Sequence, residues 1–261
     1  GMFFPFDEAL ARAEQLLAEG ADILDVGGES TRPQGAVPVG EAEELRRVLP
    51  FVREARRRWP ETVLSVDTVK SAIAAAVLDE GADVINDVSA LRLDERMADV
   101  CAARGAGVIL MHSRGTVADM GTYQHATYGA RVTDEVHDEL RDRVRVATAA
   151  GIPAARIAVD PGIGFSKRSE HSLALLADLP RLAAWGHPVL VGVSRKRFIG
   201  EITGVTNPSE RVMGTVGANV TALTLGARLF RVHDVRASRE ALDVAWAILR
   251  AGAGAGAERD A

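Results

Sequence analysis

The sequence predicts an α/β protein, a (β/α)8 barrel of the TIM type. Three observations predict it: short apolar runs alternate with helical patterns, each run leads into polar residues, and the junction before a run repeats. Buried parallel strands read as apolar runs. Strands alternating with helices require a parallel sheet with right-handed crossovers. Polar residues gathered at the C-terminal ends of such strands build one shared pocket. No G-x-G-x-x-G follows a run, which disfavours an open dinucleotide-binding sheet.

Residues 7–19 carry apolar residues at Ala9, Leu10, Ala13, Leu16 and Leu17, a helical period that Gly20 ends. The same junction of helix, glycine and run recurs at Gly81, Gly105 and Gly226. The first run, Ile23-Leu24-Asp25-Val26, leads into Gly27-Gly28-Glu29-Ser30-Thr31-Arg32. Val63-Leu64-Ser65-Val66 ends at Asp67-Thr68, and Val84-Ile85 at Asn86-Asp87. Val108-Ile109-Leu110-Met111 ends at His112-Ser113-Arg114, and Ile157-Ala158-Val159 at Asp160-Pro161-Gly162. Val189-Leu190-Val191-Gly192-Val193 ends at Ser194-Arg195-Lys196, and Leu229-Phe230 at Arg231-Val232-His233-Asp234. Further helices are expected over residues 40–58, 70–80, 92–104, 132–150, 169–184, 208–225 and 238–250. Residues 251–261 form an Ala/Gly-rich tail expected to fray. One domain is expected over residues 1–250.

These runs fall one short of eight, and an open barrel would expose strand edges. Pro5 makes residues 1–6 a poor central strand. The expectation is that the first strand and its loop are missing from this sequence. The other reading takes Met2 as the initiator and the barrel as degenerate at this end.

With 261 residues, 47% hydrophobic and 26% charged, the chain can bury a sizeable core. A net charge of −5 disfavours nucleic acid and membrane surfaces as partners. No run reaches the roughly 18 apolar residues of a membrane span. Cys101, the only cysteine, lies among apolar residues of a helix and reads as a core residue. A chain without an internal disulfide fits the cytoplasm.

At the strand ends, Arg231 and His233 share one side, because strand periodicity is two. Barrels often hold a phosphate after their last two strands. Ser194-Arg195-Lys196-Arg197 and Arg231-Val232-His233 occupy those places and read together as an anion site. Asp67, Asn86 and Asp160 supply paired acceptors and an amide, which suits a flat nitrogen heterocycle. Taken singly, Asp67 could cap the next helix and Asp160 could make a turn. The glycine-rich exit at residues 27–33 could form a lid that carries Arg32 to a leaving group. His112 and His125 match no zinc spacing.

Six motifs, DILDVGGESTRP (22–33), LSVDTVK (64–70), VINDVS (84–89), DPGIGF (160–165), VGVSRKRFIG (191–200) and RVHDV (231–235), resemble in order those of the dihydropteroate synthase family. The resemblance covers residues 7–250. It implies a (β/α)8 barrel that joins 6-hydroxymethyl-7,8-dihydropterin diphosphate to 4-aminobenzoate, releasing diphosphate in folate synthesis. By that resemblance Asp67, Asn86, Asp160 and Lys196 hold the pterin, and Met111 lines its face. Arg231 and His233 bind diphosphate. Thr31, Arg32 and Pro33 belong to a mobile loop near the aminobenzoate, whose site Phe165 and Lys196 line. Mg2+ is the implied cofactor, with unknown ligands, and a homodimer is the implied assembly. The family's N-V-T-P-D-S-F loop has no counterpart here, Gln34 extends the S-T-R-P-G pattern, and residues 113–128 diverge. A non-catalytic pterin-binding paralogue, a methyltetrahydrofolate–corrinoid methyltransferase and a Schiff-base aldolase using Lys196 remain as alternatives.

Overall fold

In a computed structural model of the chain, which describes residues 5–29 and 39–257, seven parallel strands alternate with helices. The strands are β1 (Ile23–Gly27), β2 (Val63–Asp67), β3 (Val84–Asp87), β4 (Gly107–Met111), β5 (Ile157–Asp160), β6 (Leu190–Val191) and β7 (Leu229–Phe230). β1 to β5 pair in sequence order, β6 pairs with β7, and a Val159–Val189 bridge joins the two sets. This is the predicted TIM-type (β/α) barrel. Among the described residues no ladder joins β7 to β1. Side chains span that seam instead: Arg12 donates to the His233 carbonyl at 3.0 Å, and Arg231 donates to Asp25 at 2.7 Å.

Helices α1 (Phe6–Ala18), α2 (Glu41–Arg58), α3 (Ser71–Asp79), α4 (Met97–Ala103) and α5 (Val132–Ala149) follow the expected apolar periods. Their inner faces meet the outward side chains Leu24, Leu64, Val66, Ile85, Val108 and Leu110 in one apolar layer that includes Cys101. Burial pushes the Cys101 thiol up to about 12, so it is a core residue as expected. The helix expected over 92–104 begins only at Met97. Residues before it are drawn into a turn, where Asp94 accepts from the Ser71 N–H at 2.8 Å. The helix expected over 169–184 is two, α6 (Ser169–Ala177) and α7 (Leu179–Ala183), because Pro180 cannot continue a helical ladder.

A short helix, α8 (Arg197–Thr203), lies where none was expected, and α9 (Val212–Thr224) follows it. The last helix, α10, runs Val235–Ala257, beyond the expected end, because alanine is a strong helix former that offsets the glycines between. β6, two residues long, is shorter than its apolar run of residues 189–193, while β7 matches its two-residue run. They still bring residues 192–196 and 231–233 to the same barrel mouth as the ends of β1 to β5.

Candidate active site

Strand register sorts the barrel interior into layers. Asp25 lies opposite Ser65, and Gly27, Asp67 and Asn86 lie side by side one layer up. Met111 pairs with Asp160 at the top of β4 and β5. Deeper in the barrel, Ile109, Ala158, Leu190, Val84 and Leu229 form an apolar plug. The interior is therefore apolar below and polar at the C-terminal mouth, and burial there makes each polar group depend on its partner.

Asp25 anchors that polar layer. It accepts from Ser65 Oγ at 2.7 Å, from Asn86 Nδ2 at 3.4 Å and from Arg231 Nε at 2.7 Å. Arg231 also reaches Asp67, with Nη2 to Oδ2 at 3.8 Å. Burial, then the neighbouring Asp25 charge, pushes the Asp67 carboxyl above the usual carboxylate range, while Arg231 draws it back. Asp67 does not cap the next helix: α3 begins at Ser71, whose N–H is held by Asp94.

Asp160 is buried and pushed up to about 6 by desolvation, against the Gly162 N–H and the charges of Lys196, Lys167 and Arg231. The turn explanation for Asp160 holds in part, because Oδ1 accepts from the Gly162 N–H at 2.7 Å. Only glycine fits at 162: φ is +68°, and a Cβ would collide with the His112 carbonyl. Lys196 sits with Nζ 4.2 Å from the centre of the Phe165 ring. Phe165 and Met111 belong to one apolar patch with Val69, Val88 and Met120, which makes a flat apolar flank beside the carboxylates.

The basic run 194–197 does not act as one group. Arg195, at φ +60°, turns away and pairs with Asp234 at 2.6 Å, while Arg197 lies over the Tyr123 ring at 4.7 Å. Lys196 alone of the three faces Asp160. This corrects the expectation of a four-residue anion cluster: residue 195 adopts a left-handed turn, and Arg211 holds it by donating to the Arg195 carbonyl at 3.1 Å. Arg231 and His233 lie past the end of β7, so strand alternation does not govern them. His233 Nδ1 is 2.9 Å from Ser194 Oγ, while Arg231 turns towards Asp25. His125, 3.1 Å from Asp119, is far along the loop from His112 and shares no ligand set with it. Thr31, Arg32 and Pro33 lie outside the described residues.

Sequence reasoning missed Asp25 and Lys167. A charge inside an otherwise apolar run was the available signal for Asp25. It also missed the base of the glycine-rich exit, where Lys70 Nζ binds Glu29 at 3.0 Å, Glu44 at 2.5 Å and the Val39 carbonyl at 2.8 Å. One ammonium therefore fastens both flanks of residues 30–38. Among the described residues no group of three or more His, Cys, Asp or Glu side chains could hold a metal ion.

The site can thus grip a flat, polar ring between carboxylates and an apolar flank, with cations at its rim. A family model described as "Pterin binding enzyme" matches residues 1–233. The chain belongs to the pterin-binding enzyme family. Among members of that family, the dihydropteroate synthase of Mycobacterium leprae is 41% identical, across 97% of this chain and 89% of that protein. Against solved structures, the Thermus thermophilus dihydropteroate synthase, in complex with 4-aminobenzoate, is 48% identical with a TM-score of 0.83, covering 92% of this chain and 90% of that one. The Yersinia pestis dihydropteroate synthase, in a sulfonamide drug complex, is 37% identical with a TM-score of 0.88, covering 96% and 88%. The chain spans about half the length of two curated plant relatives, the folate synthesis bifunctional proteins of Arabidopsis thaliana, at 47% and 51% of their lengths. Among the described residues no helix of this pterin-binding protein is long and apolar enough to cross a membrane.

Proposed function

We propose that this chain is a dihydropteroate synthase, a transferase that joins 6-hydroxymethyl-7,8-dihydropterin diphosphate to 4-aminobenzoate in folate synthesis, within a single barrel domain over residues 1–250. One observation carries the reading beyond family membership: the carboxylates of Asp67 and Asp160 share a mouth with Arg231 and Lys196. In this reading Asp67, Asn86 and Asp160 accept from and donate to the pterin edge. Met111 lies beneath the ring, and Phe165 with Lys196 bounds the acceptor. Arg231 and His233 face the diphosphate. The Arg231 side chain is 49% exposed, so it keeps an open face for an anion while it holds Asp25.

The amine nitrogen attacks the pterin CH2 carbon. A C–N bond forms, the C–O bond to diphosphate breaks with its electron pair going to diphosphate, and the amine releases a proton. Charge builds on the leaving group beside the cations and on the pterin beside the carboxylates, so fixed electrostatics and positioning supply the rate. Thr31, Arg32 and Pro33 are assigned to the acceptor side by resemblance alone. Mg2+ is assigned by resemblance as well. Incubating the protein with both substrates is expected to give dihydropteroate and diphosphate in equal amounts. Tight pterin binding without product would instead select a non-catalytic pterin binder.

The reading extends to a homodimer in the cytoplasm. Met213, Ile248, Ile202 and Val244 are 80%, 68%, 65% and 64% exposed on α8, α9 and α10, large apolar side chains that a second copy would cover. Met213→Glu with Ile248→Glu is expected to yield monomers in sedimentation velocity at concentrations where the wild type is dimeric. A monomeric wild type contradicts the assembly.

A further inference from the structure

Directly behind the turn at residues 160–165 lies a buried cation that the reaction as read above does not use. Lys167 is 1% exposed. Among the described residues no carboxylate forms an ion pair with it. Its ammonium has three hydrogens and three acceptors: His112 Nδ1 at 2.8 Å, the Phe165 carbonyl at 3.0 Å and the His112 carbonyl at 3.3 Å. Because Nδ1 accepts, the imidazole hydrogen sits on Nε2, which donates to Glu139 Oε2 at 2.9 Å. Glu139 is fastened in turn by the Arg114 guanidinium, which also binds Glu135 at 2.8 Å and the Thr127 carbonyl at 2.6 Å. A continuous chain of hydrogen bonds therefore runs from α5 at the surface to the floor of the site.

Packing alone does not call for a lysine here, since a methionine would fill the space without desolvating a charge. The backbone it touches does call for a fastener. Gly162 and Gly164 take positive φ, +68° and +77°, as glycine does without strain, but Ser166 does so at +50° with a side chain, a strained residue that its surroundings must hold. Ser166 is tied by its own N–H to the Met120 carbonyl at 2.6 Å. Between these points the Phe165 carbonyl is held by Lys167, and the Phe165 ring lies under Lys196.

We propose that Lys167 is a positioning residue for the acceptor side of the site: steadied by His112 and Glu139, its ammonium pins the Phe165 carbonyl and so sets the Phe165 ring beneath Lys196. This rests on the dihydropteroate synthase reading. The groups that face Lys167 are Asp160 and Glu139, which favour its charge, and Arg114 and Lys196, which oppose it. Burial is the largest influence and lowers its pKa to about 7, while His112, pushed down to about 4, stays neutral.

The test separates acceptor from pterin. In Lys167→Met, with both quantities read at pH 6.5 where the wild-type ammonium is largely intact, the KM for 4-aminobenzoate is expected to rise at least tenfold, while the Kd for 6-hydroxymethyl-7,8-dihydropterin, read by calorimetry, changes less than threefold. In the wild type that KM is expected to rise as pH climbs through about 7 and the ammonium is lost. The rise should be absent in Lys167→Met. Glu139→Gln, at the half-exposed end of the chain, is expected to raise the same KM two- to threefold, and it decides the matter should Lys167→Met not fold. An unchanged KM in either folded variant overturns the proposal, as does an equal loss of pterin affinity. A wild-type chain that binds no pterin overturns the underlying reading instead.

Discussion

Asp160→Asn is expected to weaken dihydropterin binding by about 10- to 100-fold, the loss of a buried, charge-assisted acceptor worth about 1.5–3 kcal/mol. The substitution keeps the shape and the oxygen that accepts from the Gly162 N–H, so the turn survives. The free protein is expected to become more stable. Asp160 has a folded pKa of about 6 against 3.8 for the ordinary group, with burial the largest cause. A raised carboxyl costs nothing at pH below its unfolded pKa, and the cost grows as pH rises from there through about 6. It is then fully present at neutral pH, on the order of 3 kcal/mol. Asparagine carries no such cost, so Tm at pH 7.5 should rise while binding is lost. A residue kept for packing would lose both. Wild-type affinity should follow the same ionisation, constant above about pH 7 and falling as pH drops through 6, because a protonated Asp160 no longer offers two acceptors. Calorimetry of the diphosphate-free pterin from pH 5 to 8 reads this directly, and a flat profile removes Asp160 from the pterin site.

How much of this was legible in the sequence depended on whether a residue's role was local. Asp67, Asn86 and Asp160 end apolar runs, and a parallel strand delivers its last residue to the barrel mouth whatever its neighbours do. The glycine junctions marked helix ends for the same local reason. Arg195 and Lys196 are adjacent and chemically alike, yet a left-handed backbone at Arg195 sends one to Asp234 and leaves the other at the Phe165 ring. Nothing in the run Ser194-Arg195-Lys196-Arg197 encodes that choice. Lys167 was equally opaque, because its partner His112 is 55 residues away and on another strand end. Asp25 stood in plain view as a charge within Ile23-Leu24-Asp25-Val26. Its meaning appeared only when Arg231, 206 positions later, closed on it across the seam between β7 and β1.

That seam yields the second large effect. Arg231→Ala is expected to lower stability at pH 8 by about 1–3 kcal/mol, because Asp25 and Asp67 are left facing each other in the barrel without a cation. The lower part of that range applies, since the guanidinium is half exposed and solvent screens the pair. The sign with pH follows from Asp67. Burial and Asp25 already raise its pKa and Arg231 lowers it, so removing Arg231 raises it further. The loss in the variant should therefore shrink as pH falls and Asp67 takes up a proton, and chemical denaturation at pH 8 and pH 6 checks this. Adding Asp25→Asn to Arg231→Ala should recover most of the stability, which a double-mutant cycle would read as a coupling of about 0.5–3 kcal/mol. Recovery of the fold need not recover function. If Arg231 also meets the leaving group, the double variant is expected to bind diphosphate-free dihydropterin within a few-fold of the Asp25→Asn single variant, while its affinity for the diphosphate ester falls by tenfold or more. Equal loss for both ligands would make Arg231 only the counter-ion of Asp25. The anion would then rest on Lys196 and His233, and the exposed face of Arg231 would have no part in the reaction.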